Sequence, residues 1–246
     1  MPGLLDGVHA IAGRPIPSNK KRRVRTRPSN SARPPRLPRN DPPSVGDPLD
    51  LDGARDGSQG NRAAIRRIAD RAGRAAIQVG GGVRTRQVAE ELFALGVARV
   101  VVGSVAVTQP DEVASWIREF GPERVVLAFD VRLDEAGTPC LATHGWERQT
   151  QTSLWDAVER YLPAGLLHVL CTDVARDGAL SGPNVDLYRQ CVRRFPNVAW
   201  QASGGVSVAA DLHALAATGA ASVISGRALL EGRISAEELT PFLPAA

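Results

Sequence analysis

At 246 residues, with 43% apolar but only 4% aromatic side chains, the chain is long enough for one large α/β domain whose core must be filled by Val, Leu, Ile and Ala. Its formal charge of +4 is uneven: residues 1–48 hold ten basic against three acidic side chains, leaving 20 against 23 for the rest. With no run of 18 apolar residues, and with three cysteines (Cys140, Cys171, Cys191) and four histidines off metal-ligand spacing, the sequence argues against a membrane span, a disulfide framework and a metal centre.

Residues 1–48 read as an atypical segment. They contain ten of the eighteen prolines and no aromatic residue, and Arg14–Pro43 has too little apolar periodicity to bury. From Leu49 onward, strand and helix patterns alternate with short connections. A short strand ends near Leu51, then helix Asn61–Arg71, strand Ala75–Val79 and helix Thr85–Leu95, where Val88, Leu92 and Leu95 share one face. Strand Arg99–Val102, helix Asp111–Phe120, strand Val125–Asp130 and helix Ser153–Tyr161 follow. The series continues with strand His168–Thr172, helix Val185–Arg194, strand Val198–Ala202, helix Val208–Ala217, strand Ser222–Ser225 and a last helix near Ala236–Leu239.

Two stretches recur at one offset. Gln78-Val-Gly-Gly-Gly-Val83 returns as Gln201-Ala-Ser-Gly-Gly-Val206, and Val100-Val-Val-Gly103 as Val223-Ile-Ser-Gly226, each 123 residues on. A half-barrel duplicated and closed explains a constant offset directly, so the expected fold is an α/β (β/α)8 TIM barrel of two half-barrel repeats with its first βα unit missing or aberrant. An open doubly wound sheet is the alternative. Without a first strand, the second and eighth strands are expected to have unpaired edges.

In such barrels the functional groups lie where strands end. Those positions hold Gly81 and Gly82, Gly103 and Ser104, Asp130, Thr172, Gly204 and Gly205, and Gly226 and Arg227, with acidic loops beginning at Asp50 and Asp173. Glycine lets an anion approach backbone N–H groups closely, and two such cradles suggest a substrate with a phosphate at each end. A lone Gly pair is more often only a tight turn; its repetition at a fixed offset reverses that preference. Asp130 has the alternative of a helix cap or loop salt bridge, Asp177 of an Asx turn before Gly178, Thr172 of an ordinary strand hydroxyl and Trp146 of a loop anchor. Arg227 beside the glycines favours phosphate contact over a solvated charge. Carboxylates at the mouth, with no nucleophile and base in view, suit proton transfer.

The segments Leu49–Gly57, Gln78–Arg84, Arg99–Ser104, Leu127–Arg132, Gly145–Glu147, Cys171–Asn184, Ala202–Val206 and Gly226–Gly232, about four-fifths of the chain together with what lies between them, resemble the isomerase family of histidine biosynthesis that acts on phosphoribosylformimino-aminoimidazole carboxamide ribotide. The resemblance implies a (β/α)8 barrel and an Amadori rearrangement of an aminoaldose to an aminoketose, with no cofactor and no metal. Residue by residue, it makes Asp130 the proton donor. Thr172 and Asp177 match positions that aid ring opening or orient sugar hydroxyls, and Trp146 a mobile-loop residue covering the substrate. Gly81, Gly82, Gly103 and Ser104 then hold one phosphate, and Gly204, Gly205, Gly226 and Arg227 the other.

The departure is at the front. The family's first strand ends in an Asp that acts as base; Pro2-Gly-Leu-Leu-Asp-Gly7 keeps only the tail of that motif and puts Gly3 in the base's place, with Asp6 nearby. Residues 1–48 therefore read as the product of a shifted frame or misplaced start, and the chain as a weakly folded, poorly active enzyme. A cytoplasmic monomer acting on a small bisphosphorylated molecule, without membrane or nucleic-acid partners, is expected. The competing readings are the cyclase of the same pathway, which the Gly226–Gly232 ending disfavours, an isomerase that also accepts phosphoribosyl anthranilate, and a non-catalytic barrel whose basic arm, residues 14–39, binds nucleic acid.

Overall fold

The computed structural model describes residues 8–12, 47–48, 50, 53–54, 60–72, 75–143 and 148–242. In chain order they form β1 (Val8–Ala12), β2 (Asp47–Pro48), α1 (Arg62–Arg71), β3 (Gln78–Val79), α2 (Arg86–Ala94), β4 (Arg99–Val102), α3 (Ser104–Thr108), α4 (Pro110–Phe120) and β5 (Val125–Leu133). Then come β6 (Pro139–Thr143), β7 (Arg148–Ser153), α5 (Leu154–Tyr161), β8 (His168–Asp173), α6 (Val185–Arg194), β9 (Ala199–Ser203), α7 (Ala209–Ala216), β10 (Ser222–Ser225), α8 (Arg227–Leu230) and α9 (Ala236–Leu239). Helix ends follow local chemistry. Thr85, Ser153 and Asn184 each accept a first-turn N–H at α2, α5 and α6, and Pro110 with Asp111 and Glu112 opens α4.

The strands run in the order β2-β1-β10-β9-β8-β5-β4-β3, and every neighbouring pair from β10 round to β3 is parallel. The Asp50 N–H donates to the Gly80 carbonyl (2.9 Å), tying the chain after β2 to β3, so the sheet curls back on itself as a TIM barrel. Side chains alternate in and out along each strand. Val101, Val126, Leu170 and Ile224, with Ala128 against them, pack together inside, while Leu127, Phe129, Trp200 and their neighbours pack outward on Trp116, Tyr161, Leu212 and Leu215. At the end where strands begin, Glu123 lies 3.2 Å from His168 Nε2 and 3.9 Å from Arg99 Nη2.

Two features differ from expectation. The edges predicted to be open are covered: β1 sits between β10 and β2, with Ala10 opposite Ser225 and Ala12 opposite Val223, but antiparallel to both. The segment Val8-His-Ala-Ile-Ala12 supplies backbone donors and acceptors to the open edge, though in the wrong direction for a βα unit. The other difference is the β6–β7 hairpin, which grows from an extension of β5 past Asp130, with Val131 opposite Leu141. Its turn was readable, since Asp134 Oδ1 accepts the N–H groups of Ala136 and Thr138 and Gly137 has φ 80°.

Among the described residues the three cysteines are buried and unbridged. Burial holds the Tyr161 and Tyr188 phenols above their ordinary value of 10.0, and the hydrogen bond with Cys191, then burial, raises the Cys171 thiol above 9.0. These acids stay protonated in the fold but ionise in the unfolded chain at ordinary values. Stability is therefore complete below about pH 9 and declines as pH rises, by about 1.4 kcal/mol per unit for each group ionised only when unfolded. Urea midpoints should hold from pH 8 to about 9 and fall from there to pH 11; a flat profile throughout would contradict this.

Candidate active site

Gly81 and Gly82 have φ of 96° and 71°, and Gly204 and Gly205 repeat them at 97° and 86°. A Cβ on Gly81 would lie 2.1 Å from the Asp50 carbonyl oxygen, and one on Gly204 would lie 2.8 Å from that of Asp173. The packing of the preceding βα loop thus demands glycine at both positions, whatever else they bind. Gly81→Ala and Gly204→Ala should each cost about 2–4 kcal/mol in denaturant titrations. Gly137→Ala, with positive φ but open space around it, should cost about 1 kcal/mol.

The acidic loops are locks. Asp50 Oδ1 accepts from Gly53 N (2.9 Å) and Asn61 Nδ2 (2.8 Å), while Asp173 accepts from Ala175 N (3.0 Å) and Asn184 Nδ2 (2.7 Å). Both carboxylates are buried, and each takes its amide from the Asn eleven residues on. Asn61 and Asn184 were missed in the sequence although they obey the same 123-residue offset.

Gly103 and Gly226 also match, with φ, ψ of −102°, −95° and −104°, −80°, each preceding a short helix. Gly81, Gly82, Gly103 and Ser104 end the adjacent strands β3 and β4. Gly204, Gly205, Gly226 and Arg227 end β9 and β10, four places away round the ring. Both sets lie at the same end of parallel strands, so they face each other across one mouth. The second set borders a cavity of about 250 Å³, together with Asp177 and Ser203. Ser225 lines it too, and its buried hydroxyl has no partner among the described residues.

Between the two sets, Asp130, Thr172 and Ser203 stand in register on neighbouring strands β5, β8 and β9. Asp130 follows Val126 and Ala128 at every second place, so alternation turns its carboxyl into the barrel. Thr172 is buried. Behind them the Tyr188 hydroxyl accepts the Ser203 N–H (3.2 Å) and lies 3.1 Å from the Cys171 carbonyl, fixing the β8–β9 step.

Arg227 is already engaged. Its Nη1 donates to the Gly178 carbonyl (2.7 Å) and its Nε to Glu231 (2.6 Å); Arg227, with help from Arg233, holds the Glu231 carboxyl below its ordinary range. The guanidinium thus spans from the end of β10 to the β8–α6 loop, stretching across one flank of the cavity. In that loop Leu180 adopts φ 52°, a left-handed conformation that a branched side chain resists, and it lines the cavity. Arg176 Nη1 staples the same loop through the carbonyls of Ser181 (3.3 Å) and Gly182 (3.2 Å). Sequence reading missed both. Trp146 lies outside the described residues, between β6 and β7, as do Gly3, Asp6 and most of residues 1–48.

A family model described as histidine biosynthesis protein matches residues 48–235. The chain belongs to this family. It is 50% identical over 187 residues, 76% of its length and 75% of the relative's, to a protein of Aeromonas salmonicida (strain A449). That protein is named 1-(5-phosphoribosyl)-5-((5-phosphoribosylamino)methylideneamino)imidazole-4-carboxamide isomerase. Proteins with the same name from Alteromonas mediterranea and Klebsiella pneumoniae subsp. pneumoniae are 45% identical over 77% of both chains and 53% identical over 66% of both. The histidine-biosynthesis match contains both glycine sets, Asp130, Trp146, Thr172 and Asp177, and begins where the Pro/Arg-rich composition stops. Among the described residues no helix is long and apolar enough to cross a membrane.

Proposed function

We propose that the chain is an aldose–ketose isomerase that carries out the Amadori rearrangement of the bisphosphorylated ribotide for which its relatives are named. The observation that carries this reading is geometric: two matched glycine sets face each other across one barrel mouth, with Asp130, Thr172 and Ser203 in a row between them. Each phosphate meets backbone N–H groups, at one end those of Gly81, Gly82, Gly103 and Ser104, at the other those of Gly204, Gly205, Gly226 and Arg227. These contacts suspend the aminosugar over the row.

Asp130, as the carboxylic acid, protonates the furanose ring oxygen as the bond from that oxygen to C1 breaks, leaving a protonated imine at C1. Thr172 and Asp177 hold the sugar hydroxyls. Loss of the C2 proton then gives an enaminol, which tautomerises to the 2-ketose. That second proton needs a base at the end of the first strand, where the resemblance puts Gly3. On this reading the chain divides into residues 1–48, an off-frame or misplaced segment, and residues 49–246, the catalytic barrel. The enzyme binds and opens its substrate but completes isomerisation slowly. It works as a cytoplasmic monomer on a small molecule, with no nucleic-acid partner.

Calorimetry with the bisphosphorylated aminoaldose, followed by chromatography for the ketose, tests this. Micromolar binding with slow ketose formation is expected. No binding, or binding equal to that of inorganic phosphate, would contradict the two-ended site. Sequencing the transcript through residues 1–48 and finding one continuous frame would remove the off-frame origin.

A further inference from the structure

We propose that Gln78 and Gln201 form a hydrogen-bonded spacer across the barrel that sets the distance between the two phosphate sites, and so selects ligands with a phosphate at each end. This inference rests on the two-ended site proposed above. Gln78 Nε2 donates to Gln201 Oε1 (2.8 Å) and Gln201 Nε2 donates back to Gln78 Oε1 (3.0 Å). The two residues are 123 apart, the offset of the repeat, so each is the other's counterpart and the approximate two-fold axis of the barrel passes between them.

Their place is specific. β3 and β9 are four strands apart in either direction round the ring, so the pair joins opposite walls. Each Gln lies three residues before the first glycine of its pair, about 10 Å below the mouth along the strand. Both residues are almost wholly buried, at 1% and 4% exposure, and Gln201 stands in register with Leu170, whose inward side chain joins Val101, Val126 and Ile224 in the interior cluster. Two amides that leave water only to bond each other gain little net stability, and an apolar pair of the same shape would fill the space as well. A reciprocal amide pair supplies what an apolar pair lacks, a directional contact of fixed length. Opposed strands held at one separation present both glycine sets pre-spaced, and a ligand that reaches both ends binds without a reorganisation cost. A single phosphate feels no such constraint. Gln78 and Gln201 are therefore positioning residues, and Gln201 lies one inward row below Asp130, Thr172 and Ser203.

The test compares Gln78→Met/Gln201→Met with the unaltered chain. Methionine keeps the length and removes both amides together, so cooperative melting within a few degrees of the parent is expected. By calorimetry, affinity for the bisphosphorylated aminoaldose should fall at least tenfold, while affinity for inorganic phosphate stays within twofold. A folded double variant that binds the bisphosphate within twofold of the parent overturns the spacer. So does an equal loss for both ligands, which marks a purely structural pair. If the parent itself does not bind the bisphosphate, the proposed function fails and the spacer with it. Should the double variant not fold, Gln78→Glu decides: its protonated acid can still exchange hydrogen bonds with Gln201, and its carboxylate cannot donate one. Relative to the parent at each pH, bisphosphate affinity should then drop as pH rises through the carboxyl titration, with phosphate affinity unchanged. The absence of that pH dependence overturns the spacer.

Discussion

Replacing residues 1–47 by an in-frame βα unit whose strand ends in Asp should raise kcat by about 10²–10⁴, the usual contribution of a positioned general base. The reason lies in strand direction. β1 fills the gap beside β10, but Ala12, its last residue, pairs with Val223 near the start of β10, away from the mouth. A parallel strand would carry its last residue to the level of Gly226, where the base is needed. Substrate affinity should change much less, because both glycine sets belong to the matched region 48–235. Steady-state assays of the two proteins, with ketose quantified, check this. Unchanged turnover would mean that another group already removes the C2 proton.

The second large effect concerns Asp130. Asp130→Asn keeps the shape and removes the acidic proton, so kcat should fall by about 10²–10⁴, measured in the repaired chain where turnover is high enough to follow, with KM altered less than about threefold. Thr172→Val should be milder, near tenfold, since it loses an orienting hydroxyl and no proton. A fall in kcat/KM carried wholly by KM would make Asp130 a binding residue instead.

How much was visible in the sequence depends on how local the cause was. Thr85, Ser153 and Asn184 cap helices through neighbours three residues away, and those helices start close to where the pattern put them. The constant offset between Gln78-Val-Gly-Gly-Gly and Gln201-Ala-Ser-Gly-Gly announced two matched glycine turns, and their φ values agree within about 15°. What that offset could not reveal was that the two glutamines meet, because their contact exists only once the ring closes. The role of the acidic loops was hidden for the same reason: Asp50 and Asp173 are counterparts 123 residues apart, and each is locked to an Asn only by tertiary folding. The reversed β1 was hidden because Val8–Ala12 has little intrinsic pattern and is recruited by an unsatisfied edge.

The most direct test is a crystal structure of the chain with the bisphosphorylated aminoaldose bound. The account predicts one phosphate on the N–H groups of Gly81, Gly82, Gly103 and Ser104, and the other on those of Gly204, Gly205, Gly226 and Arg227, with the ring oxygen within hydrogen-bonding distance of Asp130. A ligand that engages only one set, or lies with Asp130 beyond reach of the sugar, would contradict it.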